Sequence, residues 1–256
     1  MDKEKFEAAC RSAIGRDYPR SSVGLLSEKT LHAALKLYYE PDLSFHEQKI
    51  GPYFADICKE GSIIEIQTAS FGRLSEKLSF FLPDYRVTVV YPIPATKYLS
   101  WISAENGEIL SRRKVGKKGS YYDAGRELYR LLPLLPHENL QIHLLLIDME
   151  ELRLQDGWGK GGKRGAHRIE RIPKALVGEL VLHTKESFAA LLPKSLPSPF
   201  TVKELRGATK TGPRVCSALL SLLIKMGTVE KTGQKGRAYL YSVLPSVEEK
   251  NEKIPL

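Results

Sequence analysis

The sequence predicts an α/β fold: a mixed sheet flanked by helices, with a small separate module at the C-terminus. Three observations predict it. Residues 44–68 hold three strand-like runs, SFHEQKI, PYFADICK and SIIEIQT, punctuated by Gly51 and Gly61. ASFGRLSEKLSFFL then repeats apolar residues at helical spacing before the apolar, β-branched run YRVTVVYPI. That strand–helix–strand crossover implies a mixed sheet covered by helices. From about residue 200 the rhythm changes to two short helices and an alternating pair of runs.

Taken in order, residues 1–24 lack strong periodicity and read as an arm or a short helix. SEKTLHAALKLYYE reads as a helix over 28–40, with Ser27 as N-cap and Leu31, Ala34, Leu35 and Tyr38 on one face. Pro41 follows its end. In ASFGRLSEKLSFFL, the buried stripe is Phe71, Leu74, Leu78, Phe81 and Leu82, with Gly72 in the first turn and Pro83 as the stop. KYLSWIS reads as a strand separate from YRVTVVYPI. GEILSRRKVGKKGS is a hairpin or loop, YDAGRELYRLLPLL a helix, and LQIHLLLIDMEELRL begins as a buried strand. GWGKGGKRGAHR is a glycine-rich basic loop. TKESFAALLP is a short helix with Thr184 as N-cap, and the proline-rich PKSLPSP marks a boundary.

In the tail, TVKELRGA is a short helix. PRVCSALLSLLIKMG is a second helix, with Pro213 in its first turn and Gly227 at its end. TVEKTGQKGRAYLYSV alternates like two strands around a glycine-bearing turn. Helix, turn, helix, hairpin is the order of a winged helix-turn-helix. The expected division is an arm (1–24), an α/β core (25–105), a basic extension (106–197), a winged helix (198–245) and a tail (246–256).

Composition narrows the function classes. In 256 residues no apolar run approaches the roughly 20 residues of a membrane span. The charged N-terminus lacks the apolar core of a secretory signal. Cys10, Cys58 and Cys216 are too scattered for a disulfide framework or a zinc spacing, and read as reduced thiols in a cytoplasm. Residues 1–105 carry 13 Lys/Arg against 14 Asp/Glu, residues 106–199 carry 16 against 11, and residues 200–256 carry 10 against 5. A basic region beside a near-neutral one is the footprint of a polyanion binder, or simply a solubilising surface.

The stretch ADICKEGSIIEIQT carries the sharpest chemistry. A two-residue turn at Glu60 and Gly61 would set Asp56 opposite Glu65, with β-carbons roughly 5 Å apart. Like charges so placed destabilise a sheet unless water or a bound cation compensates. Two carboxylates and the carbonyl of residue 66 suit Mg²⁺ or Mn²⁺, hard ions that keep several waters. Such an ion lowers the pKa of a bound water and stabilises charge on a phosphate oxygen. Gln67, about 7 Å along the same face, can orient a water or hydrogen-bond a phosphate but cannot titrate. Glu28 could reach the metal from the helix above, or could simply complement the positive helix N-terminus. His32, one turn on from Glu28, reads as a packing or surface residue.

Residues 28–91 resemble the core of the PD-(D/E)xK nucleases: a helix bearing an acid, a hairpin with D-x(n)-E-x-K, a helix and a further strand. The signature stands here as Glu28, Asp56 and Glu65-Ile66-Gln67. The resemblance implies a restriction-endonuclease-like sheet, Mg²⁺-dependent phosphodiester hydrolysis and DNA as partner, and it is compatible with a homodimer. The departure is Gln67, which stands where the family has lysine. LHAALKLYY and IIEIQT also resemble segments of an uncharacterised bacterial family with a winged-helix tail.

The basic parts supply the expected DNA contacts. In the second tail helix Val215, Leu219, Leu222, Leu223 and Met226 read as buried. Arg214, Ser217, Ser221 and Lys225 then face solvent, with Lys231, Lys235 and Arg237 on the wing. Arg112, Arg113 and Lys114 in SRRKVGKK, and Lys163, Arg164 and Arg168 in GKGGKRGAHR, lie on loops that contact phosphates or are merely solvated. No P-loop, H-E-x-x-H or G-x-S-x-G pattern occurs. The expected function is a metal-dependent DNA endonuclease or DNA-processing enzyme. The alternatives are a non-catalytic DNA-binding protein on a degenerate nuclease fold, and a protein-interaction module.

Overall fold

A computed structural model describes residues 1–14, 30–103, 105–154 and 167–244. The N-terminal segment is a helix, α1 (Lys3–Ile14), not an extended arm. Its stripe of Phe6, Ala9, Cys10 and Ala13 is buried at helical spacing. It packs on α2 (Thr30–Tyr39), where the Phe6 and Tyr38 rings meet edge to face at 5.5 Å. The expected N-cap Ser27 and Glu28 lie outside the described residues. The first described N–H of α2, that of Thr30, donates to the Glu170 carboxylate at 3.2 Å.

Three strands follow as expected: β1 (His46–Ile50), β2 (Tyr53–Lys59) and β3 (Ser62–Ile66). Glu60 and Gly61 both have positive φ, 49° and 72°, the two-residue turn that fits the twist of a hairpin. Helix α3 (Leu74–Phe81) buries Leu74, Leu78 and Phe81. Gly72 sits before it in a turn, not in its first turn as the sequence suggests.

The two strands expected over 85–103 are one, β4 (Arg86–Ile102), running through Pro92 and Pro94. Its first half pairs in parallel with β3, and its last five residues pair antiparallel with β5 (Ile109–Lys114). The prolines fall between these ladders, so neither ladder needs their missing N–H. The helix expected over 122–135 shrinks to a 3-10 turn and α4 (Gly125–Arg130), because Pro133 and Pro136 remove the donors a longer helix needs. β6 spans Leu140–Leu154. β7 (His167–Leu182) is a strand the sequence hides, since Pro173 and Gly178 interrupt its pattern. The segment Lys185–Leu191 is a 3-10 helix whose Thr184 side chain makes no capping bond.

The sheet order is β1-β2-β3-β4-β6-β7, with β5 on β4. Antiparallel β1/β2 and parallel β3/β4 make it mixed, and with the helices this is an α/β chain. The tail holds α5 (Val202–Thr209), α6 (Pro213–Lys225) and the hairpin β8 (Val229–Lys235) and β9 (Ala238–Val243). A reciprocal capping box between Thr201 and Glu204 starts α5. No described helix is long and apolar enough to cross a membrane.

The residues cluster into two compact, discontinuous units. Unit 1 is Met1–Lys59, Pro92–Ser120 and Leu145–Glu179, with Phe6, Leu31, Leu35, Ile57 and Leu99 in its core. Unit 2 is Glu60–Tyr91, Tyr121–Leu144 and Leu180–Leu256, with Ile63, Phe71, Leu78, Phe81, Leu128, Phe188 and Leu219 in its core.

Candidate functional site

In unit 2, β3 carries Glu65 inward, with its residue only 1 % exposed. A carboxylate so buried needs a partner. Helix α3 supplies it: Lys77 Nζ lies 2.6 Å from Glu65 Oε2 and 5.8 Å from the centre of the Phe81 ring. The parallel ladder carries on past β3, where the Gln67 N–H donates to the Val90 carbonyl at 2.9 Å, so the backbone of the E-x-Q stretch is fixed. The Gln67 side chain is half-buried. Sequence reasoning missed Lys77, yet its spacing holds the signal. It lies three residues after Leu74 and four before Phe81, on the flank of the stripe that buries both.

In unit 1, Asp56 on β2 is 15 % exposed and lies 3.3 Å from Nε2 of His32 on α2. The group that α2 brings to this acid is His32, which the sequence reads as a packing or surface residue. Glu28 lies outside the described residues. Among the described residues no group of three or more His, Cys, Asp or Glu is placed to hold a metal.

A second polar cluster of unit 1 is built on β6, where the run DMEEL places adjacent acids in a buried strand. Glu150 accepts from Ser100 Oγ at 2.5 Å and Arg112 Nε at 3.0 Å, with Lys174 Nζ at 3.2 Å. Glu151, on the opposite face, is held by Arg153 at 2.7 Å, with Lys97 at 3.6 Å and Arg171 at 3.8 Å. Burial raises both carboxyl pKa values. The donors and positive charges around them more than offset this, so both lie below the usual glutamate range.

The expected DNA-contacting residues divide. Arg112, Arg113 and Lys114 are exposed, but on strand β5 instead of a loop. Arg112 is tied down by Glu150 and stacks 4.1 Å from the centre of the Tyr98 ring. Arg168 is exposed on β7, while Lys163 and Arg164 lie outside the described residues. In unit 2, Leu219, Leu222, Leu223 and Met226 are buried, and Arg214, Ser217, Ser221 and Lys225 are exposed, as α6's periodicity predicts, but Val215 is only half-buried and Cys216 is buried beside it. Lys231, Lys235 and Arg237 are exposed on the hairpin, with Lys231 Nζ 3.3 Å from the centre of the Tyr239 ring. Helix α4 adds Arg126 and Tyr129 beside α6, which the sequence did not single out. Arg126 and Tyr129 of α4 and Arg214, Ser217 and Ser221 of α6 line an open groove of about 460 Å³.

A family profile described as "Domain of unknown function (DUF8091)" matches residues 29–183. The chain belongs to the DUF8091 family. An "Uncharacterized protein" of Treponema pallidum (strain Nichols) is 32 % identical over 225 residues, covering 88 % of each chain. No solved structure matches. The DUF8091 match takes in Asp56, Glu65, Gln67, Lys77 and the β6 acids, and stops before α5 and α6. The similarity to the spirochaete protein is too long to fit within the DUF8091 region alone.

Proposed function

We propose that this DUF8091 protein is a metal-dependent DNA-processing enzyme that hydrolyses phosphodiester bonds. The observation that carries the reading is the Glu65–Lys77 pair. The strand motif lacks the lysine of the nuclease pattern because Gln67 stands in its place, and α3 returns an ammonium to the same carboxylate. The order of elements supports it too: α2, the hairpin of β2 and β3, α3, then β4 parallel to β3.

The oxygens of Glu65 and the Ile66 carbonyl are donors of the kind that would hold a hard cation, and Asp56 is the second carboxylate of the sequence motif. When bound, Mg²⁺ or Mn²⁺ would supply an acidified water and charge stabilisation at a phosphate oxygen. The chain's own residues do the rest. Lys77 pairs with Glu65 and offers positive charge toward an incoming phosphate. The Gln67 amide donates to a phosphate oxygen or holds a water in line, without titrating. The exposed cations of α6 and of the β8–β9 hairpin bind the backbone.

The experiment is cleavage of plasmid, branched and single-stranded DNA with Mg²⁺ or Mn²⁺. Asp56→Ala, Glu65→Gln and Lys77→Met are each expected to lower the rate by about 10²–10³-fold, the worth of one preorganised electrostatic group. A second reading is a non-catalytic DNA-binding protein, and the depth of Glu65 favours it, since a buried ion pair also serves to fix a strand on a helix. Metal-independent DNA binding that weakens with salt, with no cutting of any of these substrates, would select that reading.

A further inference from the structure

We infer that the groove between α4 and α6 binds single-stranded DNA, stacking one base on Tyr129 between the guanidinium groups of Arg126 and Arg214. The inference rests on the DNA-binding part of the reading above and is independent of its chemistry. It begins with what covers α6. A lone recognition helix enters the major groove because a helix about 10–12 Å across fits a groove about 12 Å wide. Helix α6 is not alone on its flank. A β-carbon added at Gly125 of α4 would lie 3.1 Å from Leu219 Cβ and 3.4 Å from the Val215 carbonyl oxygen of α6, so the two helices touch backbone to backbone. Helices packed side by side present roughly twice the width that the groove admits.

The contact leaves a cleft lined from both sides. Arg126 and Tyr129 are three residues apart and share one face of α4. Arg214, Ser217 and Ser221 follow one stripe of α6. Among the described residues no acid lines the cleft. Glu127, between the two α4 residues, is turned elsewhere: it accepts the Phe71 N–H at 2.9 Å and pairs with Arg130 at 3.2 Å. Tyr129 is 46 % exposed, a large aromatic held at the surface of a short helix. An exposed aromatic side chain that shares a cleft with cations and hydroxyls matches the chemistry of an unstacked nucleotide. The ring takes the base, the guanidiniums take the flanking phosphates, and Ser217 and Ser221 bond base or sugar edges. A duplex keeps its bases stacked on each other and offers this cleft only phosphates.

The test is fluorescence anisotropy of the full chain with labelled oligo-dT and with a duplex of equal length, in EDTA so that no cleavage occurs. Oligo-dT is expected to bind at least about tenfold more tightly than duplex. Tyr129→Ala is expected to weaken oligo-dT binding about 5- to 100-fold, the worth of one stacked base, with Tyr129→Phe restoring it and duplex affinity unmoved. Arg126→Gln should lower the slope of log affinity against log salt on oligo-dT by about 0.7. Duplex affinity equal to or above that of oligo-dT would overturn the inference, as would oligo-dT affinity unchanged in Tyr129→Ala. Failure of the catalytic reading would appear as no metal-dependent cleavage by the unaltered chain, with the Tyr129 effect on oligo-dT binding preserved.

Discussion

Glu65 ties strand β3 to helix α3 through its pair with Lys77. Breaking a buried ion pair from one side leaves an uncompensated charge, which costs about 3–5 kcal/mol. Urea unfolding should show Lys77→Met destabilised on that scale. The Glu65→Gln/Lys77→Met double variant should lose clearly less than the two single losses added, since contacting residues couple. Additive losses would mean that the two side chains act separately. The same scale shows what a sequence can disclose. The turn at Glu60 and Gly61 was legible because a two-residue hairpin turn is a short-range rule. Lys77 was overlooked: its spacing puts it on the flank of α3's buried stripe, but which acid it meets depends on how α3 lies against β3. Cys10 illustrates the converse. Burial, reinforced by the nearby Glu7, pushes its thiol up to about 12. Labelling with a thiol reagent at neutral pH should therefore leave Cys10 unmodified until the protein is unfolded.

Among the elements, β4 carries the clearest structural demand. The segment after β5 runs back along it, with the Val115 N–H donating to the Lys97 carbonyl and the Gly119 N–H to the Ala95 carbonyl. A β-carbon at residue 119 would stand only 2.0 Å from the Pro94 carbonyl oxygen, so backbone must move to admit one. Gly119→Ala is expected to cost about 1–3 kcal/mol in the urea midpoint analysis, the range for overpacking. A neutral result would show that the segment yields freely. Elements with strong periodicity were readable from the sequence: α3 by its apolar stripe, α6 by stripe, Pro213 and Gly227. β7 and the fusion of two strands into β4 were not. Proline and glycine mark breaks by local rule, yet a strand tolerates them where a ladder makes no call on the missing group. The helix expected beyond Arg130 fails for the opposite reason, since prolines there have no ladder to spare them.

For the molecule as a whole, charge sets how it responds to acid. Glu150 and Glu151 have folded pKa values depressed by their cations, so their contribution to unit 1 is present above the unfolded glutamate value of about 4.3 and is lost as pH falls through the lower folded values. The urea midpoint should fall between about pH 5 and pH 3, and a Glu150→Gln/Glu151→Gln variant should flatten that slope. A slope equal to wild type would place the acid sensitivity elsewhere. The α/β class was legible because a crossover between strands leaves a strong pattern. The way the chain shares its segments between two units was not, since that is set by pairings between residues far apart in sequence.

That sharing governs how the protein emerges from the ribosome. Unit 1 needs Leu145–Glu179, and unit 2 draws on residues from Glu60 to the C-terminus. Neither can close on its first-made segment. At roughly 5–20 residues per second, strands near the N-terminus spend many seconds awaiting partners not yet synthesised. Over that interval the nascent chain displays β1–β3 with an open edge, the kind of surface that recruits chaperones or self-associates. Slowing translation after Ile66 should therefore lower the yield of native protein more than slowing it after Leu182, by which point every segment of unit 1 has been made.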